Sequence, residues 1–531
     1  MHRAKKTIEA LLLLVATVFL SLHFVHLRAD FPNNSPWMDW SKYTDEGWYG
    51  NAAIQHYIRG SWYVPGDFNP AVALPVWPLL EGLVFHFTGV SIVAARSLAV
   101  GTFVCILIAA WFLLRRYQAG VAPAVAVLLL AVSPFCYAFT RLAIIEPLLI
   151  LATLLALLAA SAASSAKLHP TRQRLWPLIL LGVLLPLMIL TKTTAVFLLP
   201  SVFYLLWSSC GYAWRPFFRA SAISISIAAA LWCAYFFLLV RPHYLADYRY
   251  LFSANGYTGI TAATFWQVMH DTVRDGNWMD RVLYPLALAL MLFAAAAAQR
   301  LWRNPLFTAL ALWMAGYLFF LAYHNNMQPR YYFVVAVPML MLVALGFDNL
   351  LRRALHSGLS TRVKAMNWSL AAAVGAAIAI AAVLDAAHTI RFVRTPQYTF
   401  ARAAQQIKQV VDSDPRRSHL VLSISGNNLS LLTGLRSICD DFGTLELEDR
   451  IAAYRPGWYV AWNEVESDKM EALSKFYTLD RVAAFPALDD PDRNLMIVYK
   501  LNPLPAPKPA HPRRRARARL SRQRPAVTAL P

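Results

Sequence analysis

Apolar runs of about 20 residues, each long enough to cross a bilayer as a helix, recur along the first three quarters of the chain. They predict eleven membrane spans, at 8–27, 91–114, 121–139, 143–165, 175–191, 194–209, 220–240, 281–299, 305–323, 331–351 and 367–387. Lys192 interrupts what would otherwise be one long run across 175–209. The stretch 71–89 is also apolar, but it contains Pro75, Pro78 and Glu81 and reads as a re-entrant or interfacial helix. Beyond the last span the periodicity changes. "TFARAAQQIKQVV" and "DKMEALSKFY" have helical spacing, whereas "HLVLSIS", "GWYVAWN" and "LMIVYKL" read as buried strands. The expected fold is a polytopic α-helical membrane protein with a C-terminal extracytoplasmic α/β domain. Its parts are a transmembrane domain over 1–390 with a first outer loop at 28–90, a soluble domain over 391–503, and a tail over 504–531.

Composition agrees with this pattern. Of 531 residues 58% are hydrophobic and only 15% charged, against about 25% charged in an ordinary soluble protein. The net charge of +20 suggests nucleic acid until it is located. Eight Lys and Arg lie in the Pro- and Arg-rich tail, which has no acid and reads as disordered. Sixteen of the other 41 occupy alternate loops: Arg3, Lys5 and Lys6; Arg115 and Arg116; Lys167, Arg172 and Arg174; Arg215 and Arg219; Arg300 and Arg303; Arg352, Arg353, Arg362 and Lys364. These loops are cytoplasmic by the positive-inside rule, so the N-terminus is inside, the soluble domain outside, and no nucleic acid is expected. The first segment lacks a clear small-x-small cleavage site and reads as a retained span. The five cysteines have no metal or disulfide spacing.

On this topology the charged residues that break the apolar pattern gather at the outer face. Asp45 and Glu46 lie in the first outer loop, and Arg141 and Glu146 at the junction of the third and fourth spans. Lys192 stands between the fifth and sixth spans, and Arg330 ahead of the tenth. Singly, Arg141 or Lys192 is read as snorkelling to the interface, and Glu146 as a structural partner of Arg141. Together, three cations facing an acidic pair form a candidate site. Arg and Lys are the usual partners of phosphate. An activated group outside the cytoplasm arrives on a lipid carrier such as a polyprenyl phosphate. Its transfer needs a base for the acceptor and cations for the departing phosphate.

Asp45-Glu46-Gly47-Trp48-Tyr49, then Gly60-Ser61-Trp62-Tyr63-Val64-Pro65 and a helix containing Pro75, followed by Gly89 and Arg96, form an ordered series. Thr140-Arg141, Lys192 through Pro200, and Arg330-Tyr331 continue it. The series resembles the GT-C superfamily of membrane glycosyltransferases, in particular bacterial relatives of the protein O-mannosyltransferases and of the lipid A aminoarabinose transferases. The resemblance spans roughly residues 1–390. It implies inverting transfer of a sugar from a polyprenyl-phosphate donor to an acceptor glycan, lipid or protein, at the periplasmic face of a bacterial inner membrane. It makes Asp45 the base and Glu46 a positioning carboxylate. Arg141, Lys192 and Arg330 then hold the phosphate, with Tyr49, Glu146 and Tyr331 completing the substrate site. No cofactor is required, although an Asp-Glu pair has the chemistry to hold a divalent cation. Two positions depart from the aminoarabinose transferases: Trp48 stands where they carry Arg, and Ala73-Leu74 where they carry Glu-Lys. Two other readings stay open. A flippase for lipid-linked sugars calls for midplane charges and internal symmetry. A membrane-anchored sensor or assembly factor leaves the Asp45–Glu46 loop unexplained.

Overall fold

The computed structural model describes residues 2–32, 35–118, 120–163, 174–254, 260–296, 299–324, 328–355 and 361–505. The tail from 506 and the loop at 164–173, with Lys167 and Arg172, lie outside the described residues. The chain is a multi-pass helical membrane protein carrying a small sheet domain. Among the described residues six helices are long and apolar enough to cross a membrane, including α1 (His2–His23), α4 (Ile92–Tyr117), Pro305–His324 and Pro329–Leu355. Ala122–Val132 and Pro134–Thr140 make a seventh if their bent pair is one span. The other predicted spans fall on shorter apolar helices, Glu146–Ala162, Leu175–Thr191, Thr193–Ser209 and Leu283–Ala295, so length alone does not give eleven crossings. The 65° bend has a local cause. Pro134 has no N–H to continue the preceding helix, and Ser133 caps the next one by accepting from Cys136 N at 3.3 Å.

Residue exposure inverts the soluble pattern, as lipid requires. Ile8, Leu11, Leu14, Val15 and Val18 of α1 are all exposed, whereas the Pro329–Leu355 helix is buried along almost its whole length. Arg115 of α4 pairs with Glu9 of α1 at 2.7 Å, and Gln118, just beyond α4, donates to Asp348 at 2.5 Å. The stretch 71–89 forms a 13-residue helix, α3 (Val76–Thr88). Its Leu79, Leu83 and Phe87 are 60%, 60% and 78% exposed at helical spacing, while Trp77, Glu81 and Phe85 are buried. A short helix showing lipid an apolar stripe fits the interfacial reading.

The soluble domain has five strands, β1 (Val421–Leu422), β2 (Ser437–Ile438), β3 (Trp458–Trp462), β4 (Tyr477–Asp490) and β5 (Arg493–Pro503), in the order β2-β1-β3-β5-β4. β1 runs parallel to β2 and β3, and the β4–β5 hairpin is antiparallel. Sequence periodicity finds β1, β3 and β5 but not β2, which is two residues long, or β4. β4 is a half-exposed hairpin partner whose pairing is interrupted by two register shifts.

This domain is seated on the segment between α1 and α4. There, α2 (Asp45–Arg59) lies between the membrane helices and the soluble Gly426–Thr433 helix. Gly47 N donates to Asn428 Oδ1 at 2.6 Å and Gln55 Nε2 to Asn427 Oδ1 at 3.0 Å. A Cβ on Gly47 would collide with the Asn427–Asn428 backbone, so the glycine is what allows this approach.

Candidate active site

The opening turn of α2 carries Asp45 and Glu46, placing both carboxylates at the positive end of the helix. The helix ends at Gly60, whose φ of +81° makes the left-handed cap. Both carboxylates are 1% exposed, yet they face different partners. Glu46 accepts from Arg96 Nε at 2.7 Å and Nη2 at 2.6 Å, and from Ala143 N at 2.9 Å. Arg96 in turn donates to the carbonyls of Leu27 and Ala29. Glu46 is thereby fully engaged in joining α2 to α4 and does not line the pocket described next.

Asp45 opens into a cavity of about 170 Å³, together with Tyr49, Lys192, Arg330 and Tyr331. Its Oδ1 accepts from Thr44 Oγ1 at 2.9 Å. Its Oδ2 faces Arg330 Nε at 3.0 Å without hydrogen-bond alignment. Burial raises the Asp45 carboxyl from its ordinary 3.8 to about 6, with Arg330 opposing that rise and Asp39 adding to it. Arg330 is oriented from behind by Asp39, which takes Nη1 at 2.7 Å and the Arg330 backbone N–H at 2.8 Å. The same Asp39 also caps the Trp40–Lys42 turn through Ser41 N at 2.8 Å. Lys192 Nζ pairs with Glu146 Oε1 and stands 4.1 Å from the Tyr331 ring centre; Arg330 lies over the same ring at 4.5 Å. One carboxylate, two cations and two tyrosines thus converge on one cavity.

Arg141 does not join them, which corrects the expected three-cation cluster. Its Nη1 donates to Tyr137 Oη at 2.7 Å, and its Nη2 to the carbonyls of Val25 and His26 at 2.8 and 2.5 Å. It borders a separate cleft with Asp30, His388 and Arg391. Glu146 is also repartnered, pairing with Lys192 rather than Arg141. Two contributors were missed in the sequence. Asp39 sits six residues before the acidic pair, where a lone Asp among aromatics carries no motif. Phe442 comes from the soluble domain, and no local pattern announces a contact made by docking. Trp48 and Leu74, both at positions that depart from the aminoarabinose transferases, line the cavity as well. Among the described residues no group of three or more His, Cys, Asp and Glu is arranged to hold a metal ion.

Residues 70–239 match the family model described as dolichyl-phosphate-mannose-protein mannosyltransferase. No curated protein matches the sequence. Among solved structures the chain is similar to ArnT from Cupriavidus metallidurans bound to undecaprenyl phosphate. The TM-score is 0.60 at 13% identity, covering 92% of this chain and 97% of that one. The apo state of the same protein gives 0.59 at 12% identity, with 92% and 98% covered. At such identities the likeness is one of fold. The chain therefore shares its fold with ArnT over nearly the whole length of both chains, and matches the mannosyltransferase family model within residues 70–239.

Proposed function

We propose that this chain is an inverting glycosyltransferase, moving a sugar from a polyprenyl-phosphate donor to an acceptor at the outer face of a bacterial inner membrane. The observation that carries the reading is that Asp45, Lys192 and Arg330 line one cavity, with Asp45 and Arg330 in contact at 3.0 Å. The undecaprenyl phosphate bound to ArnT supports a prenyl phosphate as the ligand of a shared fold.

In the proposed reaction the acceptor hydroxyl or amine attacks the anomeric carbon while Asp45 takes its proton. The bond from that carbon to the phosphate oxygen breaks, and the electron pair leaves on the polyprenyl phosphate. Lys192 and Arg330 meet the charge that develops there. A carboxyl held near 6 is mostly ionised at neutral pH and still basic enough to accept a proton. Asp39 orients Arg330, and Glu146 orients Lys192 until phosphate shares it. With two side-chain cations in place the scheme calls for no cofactor, and transfer in the presence of EDTA tests that point.

The decisive experiment incubates purified protein with labelled undecaprenyl-phosphate sugars and membrane extract as the acceptor source. Transfer by the native chain, lost in Asp45→Asn, is the expected result. Donor that binds but stays intact in the native chain refutes the enzyme reading.

A further inference from the structure

The cavity is divided by chemistry. Asp45, Lys192 and Arg330 supply its charge, and Trp48, Phe68 and Phe442, which touch one another, form an aromatic cluster in the lining. Trp48 meets Phe68 edge-on at 5.3 Å and Phe442 at 5.0 Å, and Phe68 and Phe442 are 5.4 Å apart. Trp48 is held by its own indole N–H, which donates to Ile424 O at 3.2 Å.

Phe442 is delivered by the soluble domain on a rigidly held loop. Arg450, 2% exposed, donates to the carbonyls of Cys439, Asp441 and Phe442 at 2.5, 3.1 and 2.6 Å. Asp67 of the first outer loop accepts from Cys439 N at 3.0 Å, and Tyr250 Oη accepts from Gly443 N at 3.0 Å. The backbone is therefore fixed on both sides of a ring that packs on Trp48 and Phe68, is partly exposed and lines the cavity. Such pre-organisation costs conformational entropy once, at folding, and favours ligand binding afterwards.

Building on the transferase reading, we propose that Trp48, Phe68 and Phe442 form the subsite for the donor's sugar, and that this sugar is uncharged. The C–H face of a pyranose packs on aromatic rings while its hydroxyls point away. A sugar carboxylate set against this cluster would lose water without gaining an ionic partner, and an ammonium would recover only part of its hydration from rings that meet one another edge-on. The three charged groups of the lining are committed to the reacting centre and the phosphate. The soluble domain is accordingly part of the donor site.

The test compares undecaprenyl-phosphate hexose, hexuronic acid and amino sugar as donors to the native protein, Phe442→Ala and Phe442→Tyr. The hexose is expected to be the preferred donor. Phe442→Ala should raise its KM about tenfold, the low end for loss of one apolar pocket contact, with kcat little changed and the effect rescued in Phe442→Tyr. Equal use of either charged donor, or an unchanged KM in Phe442→Ala, overturns the proposal. Equilibrium binding of a short-chain prenyl phosphate, with and without the hexose, separates this idea from the transferase reading. Extra affinity from the hexose that disappears in Phe442→Ala supports the subsite even if no donor is turned over. No extra affinity overturns it.

Discussion

Arg96 closes on Glu46 through two parallel hydrogen bonds of 2.7 and 2.6 Å, inside a region where both residues are almost fully buried. The neighbouring Asp45 meets its arginine through a single unaligned contact. Two adjacent carboxylates thus have separate tasks: one ties α2 to α4, and the other faces the cavity.

Removing either half of the Glu46–Arg96 pair leaves a buried charge unpaired, which costs about 3–5 kcal/mol. Glu46→Ala and Arg96→Ala should each lower the melting temperature of the detergent-purified protein clearly, whereas Asp45→Asn should leave it near the native value and abolish transfer. Thermal unfolding followed by tryptophan fluorescence checks this. Native-like melting of Glu46→Ala with selective loss of transfer would return Glu46 to the reaction.

Because the base must be ionised and burial raises Asp45 to about 6, kcat/KM should fall as pH drops through that value and level off above it. A pH profile measured with the free enzyme reports this limb. An acid limb near the ordinary carboxylate value would mean that Asp45 is more solvated in solution, or that another group is the base.

Lys192 and Arg330 should differ in what their loss does. Lys192→Met removes one cation from the departing phosphate and should lower kcat about 10²–10³-fold, as for a lost oxyanion donor. It also strands Glu146 in a buried place, so Lys192→Met with Glu146→Gln should recover stability but not activity. Arg330→Ala releases both Asp39 and Asp45 and should cost stability and transfer together. Single-turnover kinetics and melting curves on the same samples separate these outcomes.

Arg141→Ala should act on stability more than on donor binding. Its guanidinium is taken up by Tyr137 and by the chain at Val25 and His26, in a cleft that shares no lining residue with the Asp45 cavity. A lower melting temperature with donor KM unchanged is expected. A large rise in KM at native stability would assign Arg141 to the phosphate after all.

What the sequence by itself determined is the membrane character, the basic character of alternate loops, and Asp45, Lys192 and Arg330 as charges that break the apolar pattern. Each is set by local run length, local charge, or the high cost of placing charge in hydrocarbon. The soluble helices Thr399–Asp412 and Ser467–Ser474 were legible for the same reason, since helical periodicity is a local signal. Only the tertiary structure decided which charges meet. Consecutive residues on a helix point about 100° apart, so Asp45 and Glu46 diverge, and the partner of each lies far away in the chain at Arg330 and Arg96. The same holds for Lys192, rather than Arg141, pairing with Glu146, and for Phe442 reaching the cavity from another domain. Packing between distant segments sets those contacts, and no window of local sequence contains both sides of them.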